Sequence, residues 1–218
     1  MVPMITHNVS NFECIVIGAS AGGMEAVSKL LSYLQGEFPL PVIFAQHLHP
    51  TEDEYLVEYF NDKCALTVKG ANDKGRIQQG HVYFAPPDYH LLIERDQTFS
   101  LSIDEKVNYA RPSIDVLFES AAHVWSSHLI GIILTGANND GAYGMRLIKE
   151  YGGLTIAQDP STAKYPVMPQ AAIDAGGVEK ILPLEGIGEF LTAFLTQRRQ
   201  GAKKGLDYGR QTKNFDRG

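Results

Sequence analysis

Residues Ile15 to Gly23 read IVIGASAGG: an apolar run broken at Gly18 carries Ser20 into a turn of small residues and feeds the helix-like stretch Met24 to Leu31. A strand, a tight turn and a helix in that order restrict the chain to folds in which helices pack back onto a sheet. The spacing Gly18-x-Ser20-x-Gly22 matches the nucleophile elbow, where the turn holds a serine hydroxyl exposed at the carboxyl end of a strand. One glycine permits the sharp turn and another lets strand and helix approach closely. The competing reading is a phosphate or dinucleotide loop, since a glycine-rich turn at a helix N-terminus also cradles anions. Against it, Ala21 and Ala26 lack the Lys-Ser/Thr of a P-loop, and no acidic residue lies at Leu40 to Ile43, about 20 positions after the turn.

The same alternation continues downstream. Cys14 to Ile17 precedes amphipathic Met24 to Leu34, and Val42 to Ala45 precedes Thr51 to Phe60. Such a rhythm predicts an α/β fold with a doubly wound, mostly parallel sheet flanked by helices. Between 65 and 103 the apolar runs lie too close together for intervening helices, which predicts an antiparallel hairpin insertion there. The rhythm then returns: helix over Ser113 to Trp125, strand over Leu129 to Leu134, helix over Gly141 to Tyr151 and strand over Leu154 to Ala157. Helices at Pro166 to Ile173 and Leu184 to Leu195 enclose a strand at Val178 to Leu182.

With 218 residues and 44% hydrophobic content the chain suits one sizeable domain. We divide it into a leader (1–12), a catalytic domain (13–196) and a basic tail (197–218). The tail carries +5, leaving −11 on the body out of a net −6. An acidic body argues against nucleic acid as the main ligand. The tail is polar and aperiodic, the composition of a disordered end, with contact to an acidic partner as the alternative. Cys14 and Cys64 are too few for a disulfide framework or a zinc site, so no metal or other cofactor is expected and both thiols read as small hydrophobes in a reducing compartment. There is no signal peptide and no apolar run long enough for membrane insertion, which points to the cytoplasm.

A serine hydroxyl needs an imidazole to take its proton, and that imidazole needs an acceptor to fix its tautomer. In open α/β sheets the ligand crevice lies outside the carboxyl ends of the strands, which confines the search. His47 follows Val42 to Gln46 directly, with His49 as its neighbour and competitor. Asp140 lies in Thr135-Gly136-Ala137-Asn138-Asn139-Asp140-Gly141, between a strand and a helix. It reads both as a helix N-cap and as the group that orients the imidazole, two roles that are compatible. Amides of the Gly136 to Asn139 turn are candidate oxyanion donors. Arg111, in a Pro-containing loop before a helix, either grips an acidic residue beside a target side chain or forms a structural salt bridge.

Six ordered blocks carry a resemblance to the CheB-type chemotaxis protein-glutamate methylesterase catalytic domain, spanning about residues 13 to 196. They are Ile17 to Gly23, Gln46-His47, Gly80 to Pro86, Arg111 to Phe118, Leu134-Thr135-Gly136 with Asp140-Gly141-Ala142, and Ala157-Gln158-Asp159 running to Met168-Pro169-Gln170-Ala171-Ala172-Ile173. The resemblance implies a serine hydrolase that removes γ-methyl esters from glutamates on the cytoplasmic helices of chemoreceptors, and in some members deamidates receptor glutamines. It implies Ser20 as nucleophile, His47 as base and Asp140 as orienting carboxylate. Ala21 and Ala137 are then candidate oxyanion donors, and Arg111 and Met168 candidate substrate contacts. Family members usually carry a receiver domain ahead of this one. Only about a dozen residues precede the first strand here, so a separate regulatory protein is the expected partner for control. Ala21 stands where a hydroxyl residue is usual, and Gly136-Ala137-Asn138 where Gly-Met-Gly is usual. With that turn altered, the alternative is a receptor- or partner-docking module of the same fold.

Overall fold

The computed structural model describes residues 11–34, 38–47 and 53–193. The leader up to residue 10, the tail 197–218, His7 and His49 lie outside the described residues.

Four chain segments open the fold: β1 (Cys14–Ala19), α1 (Gly23–Tyr33), β2 (Val42–Gln46) and α2 (Asp53–Asn61). β3 (Thr67–Gly70), β4 (His81–Phe84), β5 (His90–Ile93) and β6 (Phe99–Ser102) follow without helices between them. The remainder comprises α3 (Ile114–Trp125), β7 (Leu129–Ile133), α4 (Ala142–Glu150), β8 (Leu154–Gln158), α5 (Val167–Asp174), β9 (Lys180–Leu182) and a helical segment at 184–193.

Seven strands form one parallel sheet in the order β3-β4-β2-β1-β7-β8-β9. Strand order reverses direction at β1, the position where such sheets open a crevice. The antiparallel part is narrower than the 65–103 window expected: of its four strands β5 and β6 pair antiparallel, while β3 and β4 join the main sheet parallel. The short β3–β4 connection crosses over as a loop, braced where Arg76 bridges Thr98 beside the β5–β6 hairpin. Spacing too short for a helix therefore did not exclude parallel pairing here.

Alternation along the strands sends side chains to two cores. Ile15, Ile17, Val42 and Phe44 pack beneath α1, α2 and the 184–193 helix with Leu30, Leu31, Phe60 and Ile187. Cys14, Val16, Ile43 and Ala45 pack on the other face with Phe118 and Trp125 of α3, Met145 of α4, Ala172 of α5 and Leu91 of the hairpin. Phe60 of α2 stacks on Phe84 at 5.2 Å between centroids, and Phe84 on Phe44 at 4.9 Å, so α2 is clamped over the β2–β4 edge of the sheet. Cys14 is fully buried and Cys64 half-buried, both as free thiols.

Two glycines are fixed by geometry. Gly22 has φ 76°, the left-handed region that turns the chain from β1 into α1. Gly18 has no room for a side chain, because a Cβ there would stand 2.4 Å from Ile114 Cγ2 at the start of α3. The close approach expected of a glycine in this run is thus between β1 and α3, from the opposite face to α1.

Candidate active site

Ser20 follows β1, His47 follows β2 and Asp140 lies in the turn beyond β7, so three adjacent central strands deliver their carboxyl ends to one place. Backbone bonds extend the pairing past the strands: His47 N donates to Ala19 O (3.1 Å), Leu134 N to Gly18 O (2.9 Å) and Ser20 N to Thr135 O (3.0 Å). The side chains then form a connected line. His47 Nδ1 lies 3.1 Å from Ser20 Oγ, and His47 Nε2 lies 2.8 Å from Asp140 Oδ2. An ionised carboxylate only accepts, so the partners assign the ring proton to Nε2 and leave the Nδ1 lone pair facing the serine hydroxyl. The His47 side chain is 15% exposed and Asp140 is fully buried.

Asp140 is held by a helix other than its own. The N-cap of α4 is Gly141, without a side-chain cap, whereas the Asp140 carboxylate sits at the N-terminus of α3. Oδ2 accepts Ile114 N (2.7 Å), and Oδ1 accepts Asp115 N (3.1 Å), Ser113 Oγ (2.9 Å), Asn108 Nδ2 (3.0 Å) and Gly141 N (3.1 Å). Burial alone would raise its pKa, but donation from His47, Asn108 and the α3 amides outweighs it and holds the carboxyl below its ordinary value. The helix N-terminus adds a favourable partial charge. The expected N-cap role of Asp140 is corrected to the extent that the helix it serves is packed against it in space.

Further side chains, named from the sequence only as parts of the matching blocks or of the altered turn, support this line. Gln46 Nε2 donates to Ser20 O (3.0 Å) and His47 O (3.1 Å), tying the Ser20 and His47 backbones together, while its buried Oε1 has no hydrogen-bond partner among the described residues. Thr135 Oγ1 donates to Ala21 O (3.0 Å) and accepts Tyr165 N (2.9 Å). Asn138 Oδ1 accepts Asp140 N (3.2 Å), which turns its Nδ2 to within 3.4 Å of His47 Nδ1. The sequence signal for the α3 donors was the stretch Ser113-Ile114-Asp115 at a helix start. Asn108 offered none toward Asp140, because the two are 32 residues apart.

The remaining candidates separate. Ala21 is half-buried in the elbow and Ala137 exposed in the facing turn. Gly136 N donates to Tyr165 O (3.0 Å), which removes it from the oxyanion donors. Met168, a candidate substrate contact, is fully buried; its side chain packs on Gly136 and its N donates to Gly136 O (3.0 Å), so it props the turn from inside. For Arg111 the geometry matches the salt-bridge alternative: Nε and Nη2 donate to Asp88 Oδ1 (3.1 and 2.8 Å), and Nη1 to Ile103 O and Asp104 O. No cluster of three or more His, Cys, Asp or Glu side chains fit to hold a metal occurs among the described residues.

Comparison with known proteins decides the family. The model of the CheB methylesterase domain matches residues 15–191. The chain belongs to the CheB methylesterase family. It is 50% identical over 179 residues to a putative protein-glutamate methylesterase/protein-glutamine glutaminase of Leptospira interrogans, covering 82% of this chain and 93% of that protein. A protein-glutamate methylesterase/protein-glutamine glutaminase of Archaeoglobus fulgidus is 38% identical, over 84% of this chain and 53% of its own length. The crystal structure of the Thermotoga maritima CheB methylesterase catalytic domain superposes with a TM-score of 0.80 at 34% identity, covering 84% of this chain and 98% of that one. A CheB-type enzyme is a hydrolase, and the parallel sheet with its small hairpin is the fold of that neighbour.

Proposed function

We propose that this CheB-family chain hydrolyses γ-methyl esters of glutamate side chains on the cytoplasmic helices of chemoreceptors, with Ser20, His47 and Asp140 as its catalytic triad. The observation that carries the reading is the unbroken Ser20–His47–Asp140 line at 3.1 and 2.8 Å. Ser20 Oγ attacks the ester carbonyl as His47 Nδ1 takes its proton. The oxyanion is stabilised by the positive N-terminus of α1 and by amides at Ala21 and Ala137. Collapse of the tetrahedral intermediate expels methoxide, which leaves as methanol with the proton from His47. Water, deprotonated by the same nitrogen, then cleaves the acyl-enzyme to the glutamate carboxylate and restores Ser20. The same path on a receptor glutamine releases ammonia. No described helix is long and apolar enough to cross a membrane, and we place the reaction in the cytoplasm.

The docking-module reading draws on one observation: the Asn138 amide lies 3.4 Å from the nitrogen that must accept the serine proton. Labelling with a fluorophosphonate separates the two, since covalent modification needs an activated Ser20. Methanol release from methylated receptor is expected from the parent chain, falling about 10⁴-fold in Ser20→Ala. Release from Ser20→Ala near the parental rate rules the mechanism out.

A further inference from the structure

Residues 103–110, between β6 and α3, form a strap over the site pinned at three points. Arg111 Nη1 donates to Ile103 O (2.7 Å) and Asp104 O (3.0 Å), His90 Nε2 lies 3.0 Å from Glu105 O, and Asn108 Nδ2 bridges Asp115 Oδ2 (2.8 Å) and Asp140 Oδ1 (3.0 Å). The strap turns in two residues. Val107 and Ala110 exchange backbone hydrogen bonds (3.2 and 2.9 Å), and the residues between them, Asn108 and Tyr109, both have left-handed backbones, with φ 52° and 62°. Asparagine tolerates that region, whereas a tyrosine there is strained. No packing offsets the strain, because Tyr109 is 99% exposed, and it shares the strap with Ile103, 71% exposed. The turn thus aims neighbouring side chains in opposite directions: an amide onto the triad carboxylate and an aromatic ring into solvent.

The geometry points to the 107–110 turn as a recognition element for the receptor helix, with Tyr109 as a specificity-determining contact and Asn108 as a positioning residue that ties that contact to Asp140. The inference rests on the methylesterase reading above. Ser20, His47, Asp140 and Asn108 form successive hydrogen-bonded steps, with Tyr109 one residue beyond. A methyl ester alone does not extend that far; a folded helix bearing the ester touches both the nucleophile and the rim. Rigid exposed aromatic side chains are the anchors that protein partners bury, and a strap already pinned loses little freedom on contact.

The test compares a methylated, folded receptor fragment with p-nitrophenyl acetate, an ester that has no helix. Tyr109→Asn keeps the left-handed preference and removes the ring. It is expected to lower kcat/KM on the receptor about tenfold through KM, and with it the ratio of receptor to small-ester turnover; Tyr109→Phe restores both. Asn108→Gly keeps the turn and removes the amide. Here kcat falls about tenfold or more on both substrates. The acid limb of the profile moves to higher pH, because the Asp140 carboxylate, which must be ionised to orient His47, loses a donor that favours its charged form. A Tyr109→Asn enzyme with the parental substrate ratio, or an Asn108→Gly enzyme with parental kcat and pH profile, overturns the inference while the hydrolase reading stands. A parent chain that neither labels with fluorophosphonate nor releases methanol removes both.

Discussion

At the scale of single residues, Asp140 accepts hydrogen bonds from His47, Ile114, Asp115, Ser113, Asn108 and Gly141. An amide in its place cannot accept all of them and presents an N–H to one set of donors. Asp140→Asn is therefore expected to lose about 10⁴-fold in ester turnover, through a misoriented imidazole. It also costs about 1–3 kcal/mol of stability through a buried donor left unpaired, read by urea unfolding. The neighbouring Asp115 behaves oppositely. Burial, with the Asp140 charge adding to it, pushes its carboxyl up to about 6 despite donation from Gly144 N and Asn108. Its folded form holds a proton more tightly than the unfolded chain. Its contribution is thus fully present below the unfolded value near 4 and lost as pH rises through 6. Asp140, held low, contributes stability above the unfolded carboxylate range that is lost on acidification. Replacing Asp115 by Asn is expected to shift the stability difference between variant and parent by about 2 kcal/mol in the variant's favour from pH 4.5 to 7.5. Urea unfolding at the two pH values measures it.

At the scale of elements, α3 matters to the site although it contributes none of the side chains of the proposed triad. Its first amides fix Asp140, and its first residue, Ile114, presses on β1 where Gly18 leaves room. Gly18→Ala is expected to cost about 1–3 kcal/mol by overpacking, and to lower kcat because the displaced Ile114 amide is itself a ligand of Asp140. Thermal unfolding and steady-state kinetics report the two effects. On the other face, Phe60→Ala removes the ring that clamps α2 to Phe84 and is expected to cost about 3–5 kcal/mol, again by urea unfolding. The β1–turn–α1 element was legible because each part of its signal is local: an apolar run, small turn residues and a periodic helix. What the sequence concealed was long-range pairing. Asn108 reaches Asp140, Ser113 starts a helix aimed at a turn 27 residues on, and Met168 props Gly136 from within the core. None of these contacts leaves a periodic or compositional trace near the residue that makes it. Arg111 was readable only as two alternatives, since nothing local identified Asp88 as its partner.

At the scale of the whole molecule, the fold class was legible from alternating apolar runs and amphipathic stretches, because a parallel sheet covered on both faces demands that pattern. Pairing direction was not. β3 and β4 are parallel across a helix-free connection braced by the hairpin, an arrangement that element spacing alone does not reveal. Ser20, His47 and Asp140 come from the ends of β1, β2 and the turn beyond β7, and they meet only after those strands have paired side by side. Hydrolytic competence is consequently a property of the cooperative unit rather than of any excised piece. A fragment ending before the seventh strand is expected to be inert, and in a denaturant titration ester turnover and the far-ultraviolet dichroism of the sheet are expected to vanish along one curve.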